Sequence, residues 1–294
     1  MENSLTSDNM ANIIINTINT ILENLFSSVD NTLYSVLDDI TFISSDILKT
    51  SYFKNILGTS PSTGILIIAN SLLLGFLIYF SIKYLLSHFY SIEIESPHQF
   101  IFKLLFFGII MNYSYFILEQ ILNISSTITL SIRNLGENIF NTQICFSSLI
   151  NQINSKVGID STTINIFSVD GLIKSTLSVS LLSLVFSYSL RYIMVKIFAL
   201  LSPFAILSLS TNSTSWFFKA WFKNLFSLLL IQIIVSLVLL ILFSMDFASN
   251  DLLIKFIYIG GIYALIRVNS FVREFIGGVS TIVSQPVNKL RWFL

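Results

Sequence analysis

Long apolar runs broken by brief polar punctuation dominate this chain, and the length of each run limits what it can form. The run 64–82, GILIIANSLLLGFLIYFSI, holds 19 residues without a charge and ends at Lys83. A helix of about 20 such residues crosses the ~30 Å hydrocarbon core of a bilayer. Ser60 before Pro61 marks a helix start, a capping hydroxyl followed by a proline whose missing N–H is harmless in the first turn. Ser96 and Pro97 repeat the signal, and a helix is expected from there through Lys103 toward Arg133, interrupted only by Glu119. Its stretch 104–132 would be about 43 Å long, more than the core, which places Glu119 near the far interface. A third span is predicted over 172–190, stopping at Arg191. The next piece, IFALLSPFAILSLS at 197–210, lies between Lys196 and Lys219 and contains Pro203, whose ring removes a helical hydrogen bond. The segment 197–218 is therefore expected to dip in and return as a re-entrant helix, the alternative being a sixth full span. The run 225–245 gives a fourth span, and 252–271 a fifth in which Lys255 and Arg267 snorkel to opposite interfaces. The fold class predicted is all-α: a polytopic helical membrane protein with about five spans plus the re-entrant segment.

Ahead of the first span the pattern changes. Ile14, Ile18, Ile21, Leu25, Val29, Leu33, Val36, Ile40, Ile43 and Ile47 recur at steps of three and four, one apolar stripe on an amphipathic helix. The reading adopted is one or two helices packed on the membrane domain; the alternative is a coiled-coil-like stripe joining copies of the chain. Seven acidic residues against Lys49 and Lys54 make this segment an acidic, water-facing extension, with no signal-peptide pattern. The organisation expected is a 1–60 amphipathic extracytoplasmic segment, two spans within 61–133, and an extracytoplasmic loop at 134–171. A core membrane domain at 172–271 and a cytoplasmic amphipathic tail at 272–294 complete it.

Composition strengthens the membrane reading, since 54% of residues are apolar, only 11% are charged and the mean hydropathy is +0.80. A water-facing shell cannot be built from so few charges. Formal net charge is zero, and the single Cys145 allows no internal disulfide. Orientation follows from Lys and Arg, which are retained in short cytoplasmic loops. With 197–218 re-entrant, Lys83, Lys103, Arg191, Lys196, Lys219, Lys223 and the tail share one side, which predicts an outside amino terminus and a cytoplasmic carboxyl terminus.

Candidate chemistry is sparse. No Gly-rich phosphate loop occurs, and no base stands beside the many Ser and Thr residues, so no enzyme activity and no cofactor are expected. His88 and His98 with Glu93 and Glu95 fit no metal-ligand spacing, and no metal is expected there. The informative positions are polar stripes inside the spans. Thr176, Ser180, Ser183, Ser187 and Arg191 share one helical face, suited either to close helix packing or to lining a wet path. Asn112, Glu119 and Asn123 share a face of the second helix, and Glu119 is the one acidic residue within a span.

From residue 190 onward the layout resembles the TrbL family of conjugal transfer proteins, polytopic membrane components of type IV secretion systems. The residues that carry the resemblance are Arg191, Pro203 in ALLSPFAILSLS, and Thr214 with the cluster SWFFKAW containing Trp216 and Trp221. The long span after them and SFVREFIGGVS at 270–280 complete it. The likeness covers roughly the last 100 residues; the first 170 match in layout alone. It implies about five spans, a sizeable outside central loop, and a non-enzymatic part of a channel moving DNA or protein across the cytoplasmic membrane. It also implies assembly as a homo-oligomer with other secretion subunits, including an ATPase. Two other classes fit the composition: a small-solute transporter, which would show internal repeats, and a holin-like or purely structural membrane protein.

Overall fold

The computed structural model of the chain describes residues 31–58, 63–90, 96–157, 169–245 and 252–276, with a few isolated positions between 13 and 20. All elements are helical: α1 Asn31–Thr41, α2 Asp46–Lys49, α3 Ser51–Leu57, α4 Gly64–Tyr90, α5 Pro97–Asn112, α6 Ser114–Phe140, α7 Phe146–Val157, α8 Val169–Leu207, α9 Ser215–Phe243 and α10 Leu252–Ile276. Three helices are long and apolar enough to cross a membrane, Gly64–Phe89, Val179–Ser210 and Ser215–Phe243, and α5 with α6 makes a fourth if the bent pair is one span. The expected fifth, α10, falls short of that standard and carries Arg267, Arg273 and Glu274.

Helix α9 is the axis of the bundle. It runs antiparallel to α8, since Trp221 Nε1 donates to the Phe198 carbonyl at 2.7 Å and Arg191 Nε to the Leu228 carbonyl at 2.8 Å. It runs parallel to α6: Ser125 meets Leu229, and eleven residues on Gly136 lies against Leu240. Gly261 of α10 lets the Leu242 side chain approach closely, the small-residue packing that membrane helices use in place of a hydrophobic drive. Tyr188 Oη donates to the Leu265 carbonyl at 3.0 Å and ties α10 to α8 as well. Leu184, Val195, Val235, Leu239, Leu265 and Val272 are fully buried between these helices.

Helices α4 and α5 form an antiparallel hairpin at the other end of the chain's path. Asn70 and Asn112 exchange amide hydrogen bonds at 3.0 and 3.3 Å, and the rings of Phe80 and Phe100 stack at 3.7 Å. The second helix expected from the sequence is not continuous. At Tyr113 (φ −92°, ψ 10°) the chain makes an i→i−3 turn and the axis bends by 61°. Asn112 Nδ2 also donates to the Gly108 carbonyl, and a polar side chain competing for backbone in this way is a recognised cause of a break.

The segment 197–218 is not a separate re-entrant helix either; residues 197–207 complete α8, which runs 39 residues through Pro203. Pro203 lacks the N–H that would bond the Ala199 carbonyl, and Ser202 Oγ donates to that carbonyl at 2.8 Å instead. The helix then ends in a single 3-10 turn at Ser208–Ser210, and Thr214 Oγ1 donates to the Ser208 carbonyl at 2.7 Å to fold the chain back into α9.

The amino-terminal stripe is broken at 42–45 and is drawn into the bundle. Leu37, Ile43, Ile47, Leu48, Phe53 and Leu57 are buried, while Val36 is exposed. Ile18, Ile21, Leu25 and Val29 lie outside the described residues, as do Glu93 and Glu95. Contacts show how far the segment travels. The Asp38 carboxylate accepts from Phe146 N at 2.8 Å and from Ser147 N and Oγ, capping α7 from a distance of 108 residues in sequence. Thr41 and Ile43 reach the middle of α8 and α9, and Lys49 lies in the electrostatic range of Tyr115 and Glu119 near the start of α6. Ala69 then packs with Met111, Ile206 and Leu207. Residues 38–57 thus run along the depth of the bundle, and α4 starts beside the 208–214 turn.

Candidate functional site: a buried polar junction

The polar centre of the bundle forms where four segments meet around Arg191. Its side chain is fully buried. Nε donates to the Leu228 carbonyl at 2.8 Å, one terminal nitrogen to the Thr41 carbonyl at 2.7 Å and the other to Gln232 Oε1 at 3.1 Å. Gln232, also fully buried, accepts a second bond at Oε1 from Ile43 N at 3.0 Å, and its Nε2 donates to Ser125 Oγ at 2.7 Å. One arginine and one glutamine therefore link α1, α6, α8 and α9.

The electrostatics are unusual because no carboxylate among the described residues answers the guanidinium. The only ion pair among the described residues is Lys49 with Asp46, at 2.8 Å on the surface. A charge removed from water without a counter-ion is costly, and three neutral oxygens offset that cost here. One of them is special: Thr41 is the last residue of α1, so its carbonyl is among the four that have no partner within the helix and carry the negative end of the helix dipole. Arg191 caps α1 from the side, and Gln232 takes up the N–H of Ile43 just past the helix end. The planar guanidinium fork suits this task better than a lysine point charge.

Other residues singled out in the sequence separate into two groups. Ser187 is buried and accepts a hydrogen bond from Asn269 Nδ2 of α10; Trp221 is buried at the α8–α9 contact, and Pro203 is buried within α8. Thr176 is exposed, and Ser180, Ser183 and Glu119 are half-buried. Trp216 is 66% exposed at the start of α9. The hydroxyl stripe thus serves packing at its Arg191 end and reaches the surface at its Thr176 end. Arg191 does not close a span at an interface as expected; it lies within the long α8, because the helix continues past it. His88 and His98 are exposed, and no group of three metal-ligating side chains occurs among the described residues. Cys145 is buried, with Sγ donating to Ser148 Oγ at 3.1 Å.

Gln232, Ser125 and the Thr41 carbonyl were not singled out in the sequence. Gln232 carried a usable signal, being the one amide side chain in the 225–245 run. Chemically the junction offers hydrogen-bond donors and neutral acceptors, an arrangement that braces segments against one another. No known protein family, no curated protein and no solved structure matches the chain.

Proposed function

We propose that the chain is a non-enzymatic subunit of a translocation channel in the cytoplasmic membrane, of the kind used in conjugal transfer and type IV secretion, working as several copies with other secretion subunits and an ATPase. DNA or protein is the cargo in this reading. The observation that carries it is how one chain uses its polar and apolar surfaces. Ser187 and Arg191 are consumed by packing inside the bundle, so a conduit lined by this face is built between copies from its Thr176, Ser180 and Ser183 end. The assembling element is the α4–α5 hairpin. The membrane-length stretch of α4 is only 11% buried, and α5, its hairpin partner, is bent by 61° from α6. The resemblance of residues after 190 to TrbL proteins supports the same reading, as does an orientation with the 208–214 turn and its nearby Lys219 and Lys223 in the cytoplasm.

A photo-crosslinking residue at Leu74 or Ile78, both exposed on α4, should yield adducts between copies of the chain in native membranes. Ser180→Leu with Ser183→Leu should insert normally, because Leu favours insertion, yet transfer of cargo should fall sharply at matched abundance. Adducts to lipid alone together with normal transfer would sink the proposal.

A further inference from the structure

An apolar groove of about 210 Å³ opens between α6 and α9. Ile121, Ile124 and Ile128 form one wall, and Phe222, Phe226 and Ile233 the other. Ser125 is the one polar residue in the lining, and its hydroxyl is already engaged by Gln232. The groove opens outward, since Ile124 is 61% and Phe226 48% exposed. Both walls belong to helices that traverse the bundle, so acyl chains are what meets it.

The groove also has a charged end. On α9, Phe222, Phe226 and Leu230 repeat at steps of four, and Lys219 and Lys223 stand three positions before Phe222 and Phe226, so both lysines border the groove's own stripe. Both are exposed, and the only ion pair among the described residues lies elsewhere. The apolar run from residue 225 fills the hydrocarbon core by itself, which leaves the first two turns of α9 at headgroup depth. Trp216, exposed in the first turn, is the amphipathic ring expected at that level. The nearest acidic residue in sequence to the α6 wall, Glu119, precedes Ile121 by two positions and so points about 200° around the helix; its electrostatic neighbours are Lys49 and Tyr115.

We propose that this is a binding site for one anionic phospholipid, with an acyl chain in the groove and the phosphate held by Lys219 and Lys223 beside Trp216. The site is independent of the secretion reading. Neither half suffices alone: the groove selects a chain without regard to headgroup, and the lysines select charge without regard to depth.

Native mass spectrometry of the full-length detergent-solubilised protein tests it with phosphatidylglycerol and phosphatidylcholine of identical chains. One phosphatidylglycerol should be retained in preference to phosphatidylcholine, on the order of tenfold. Lys219→Gln with Lys223→Gln should remove the preference and leave a bound lipid. Ile128→Trp, which fills the groove from a position 43% exposed, should lose both at unchanged melting temperature. Equal retention of the two lipids by the unaltered protein, preference surviving the double Gln change, or retention unaffected by Ile128→Trp would each overturn the proposal. So would a photo-crosslinker at Ile124 that labels another copy of the chain in place of lipid.

Discussion

Removing either partner of the Arg191–Gln232 pair has unequal consequences, and the inequality follows from what each leaves behind. Gln232→Leu strands a buried guanidinium donor and the Ile43 N–H at once, and removes the bond that Ser125 Oγ accepts. Each buried donor left without a partner costs about 1–3 kcal/mol, more where it is charged. Arg191→Met removes the charge along with its desolvation and leaves neutral acceptors, of which the Thr41 carbonyl is the most deprived; about 1–3 kcal/mol is expected. The double variant should therefore be less destabilised than the sum of the two. Thermal unfolding in detergent across the four proteins of the cycle measures this coupling. If Arg191→Met proved the more damaging single change, the positive charge itself would be what holds α1 in place. Arg191→Lys should resemble loss rather than conservation, because one ammonium lacks the planar fork that reaches three acceptors spread over two helices.

At the scale of a helix, Pro203 and Ser202 act as a unit. Ser202→Ala should leave the buried Ala199 carbonyl without a partner and destabilise by about 1–2 kcal/mol. In a Pro203→Ala background the restored backbone N–H takes that bond, and the same serine change should then be close to neutral. A serine change that remains equally damaging in both backgrounds would show that the hydroxyl acts on something other than the proline gap. This pair also shows what could be read from sequence and what could not. Run lengths place α4, α8 and α9 because a 20-residue apolar stretch has few alternatives, whereas breaks depend on whether a lost hydrogen bond is replaced. At Pro203 the neighbouring serine replaces it and the helix continues; at Tyr113, where no proline warns of a break, Asn112 bonds Gly108 and Asn70 and the helix bends. The polar junction was half legible for a similar reason. Arg191 stood out as a charge, but its acceptors are a helix-end carbonyl 150 residues away and a glutamine in another run, brought to it only by the fold.

Across the whole molecule, the register of contacts assigns the chain's loops to two ends of the bundle. The 141–145 turn lies at one end, where Ile144 packs beside Gly136 and Leu240, and Arg133 Nε donates to the Ile144 carbonyl at 2.7 Å. The 208–214 turn lies at the other, together with Leu207, Ala69 and the start of α4. The charge pattern alone placed the start of the first long apolar run opposite the 197–218 segment. It could not register that residues 38–57 already travel the depth of the bundle, because their passage is satisfied by Asp38, Arg191 and Gln232 and not by an apolar run. Cys145 is buried and a poor reporter, so a Cys145→Ala background is the starting point for single cysteines at the exposed positions Thr63, Gln143 and Asn212. Thr63→Cys and Asn212→Cys should react with an impermeant maleimide from the same face of sealed membranes, and Gln143→Cys from the opposite face. Labelling of Thr63→Cys together with Gln143→Cys would mean that the amino-terminal segment does not traverse the bundle and that α4 begins on the side of the 141–145 turn.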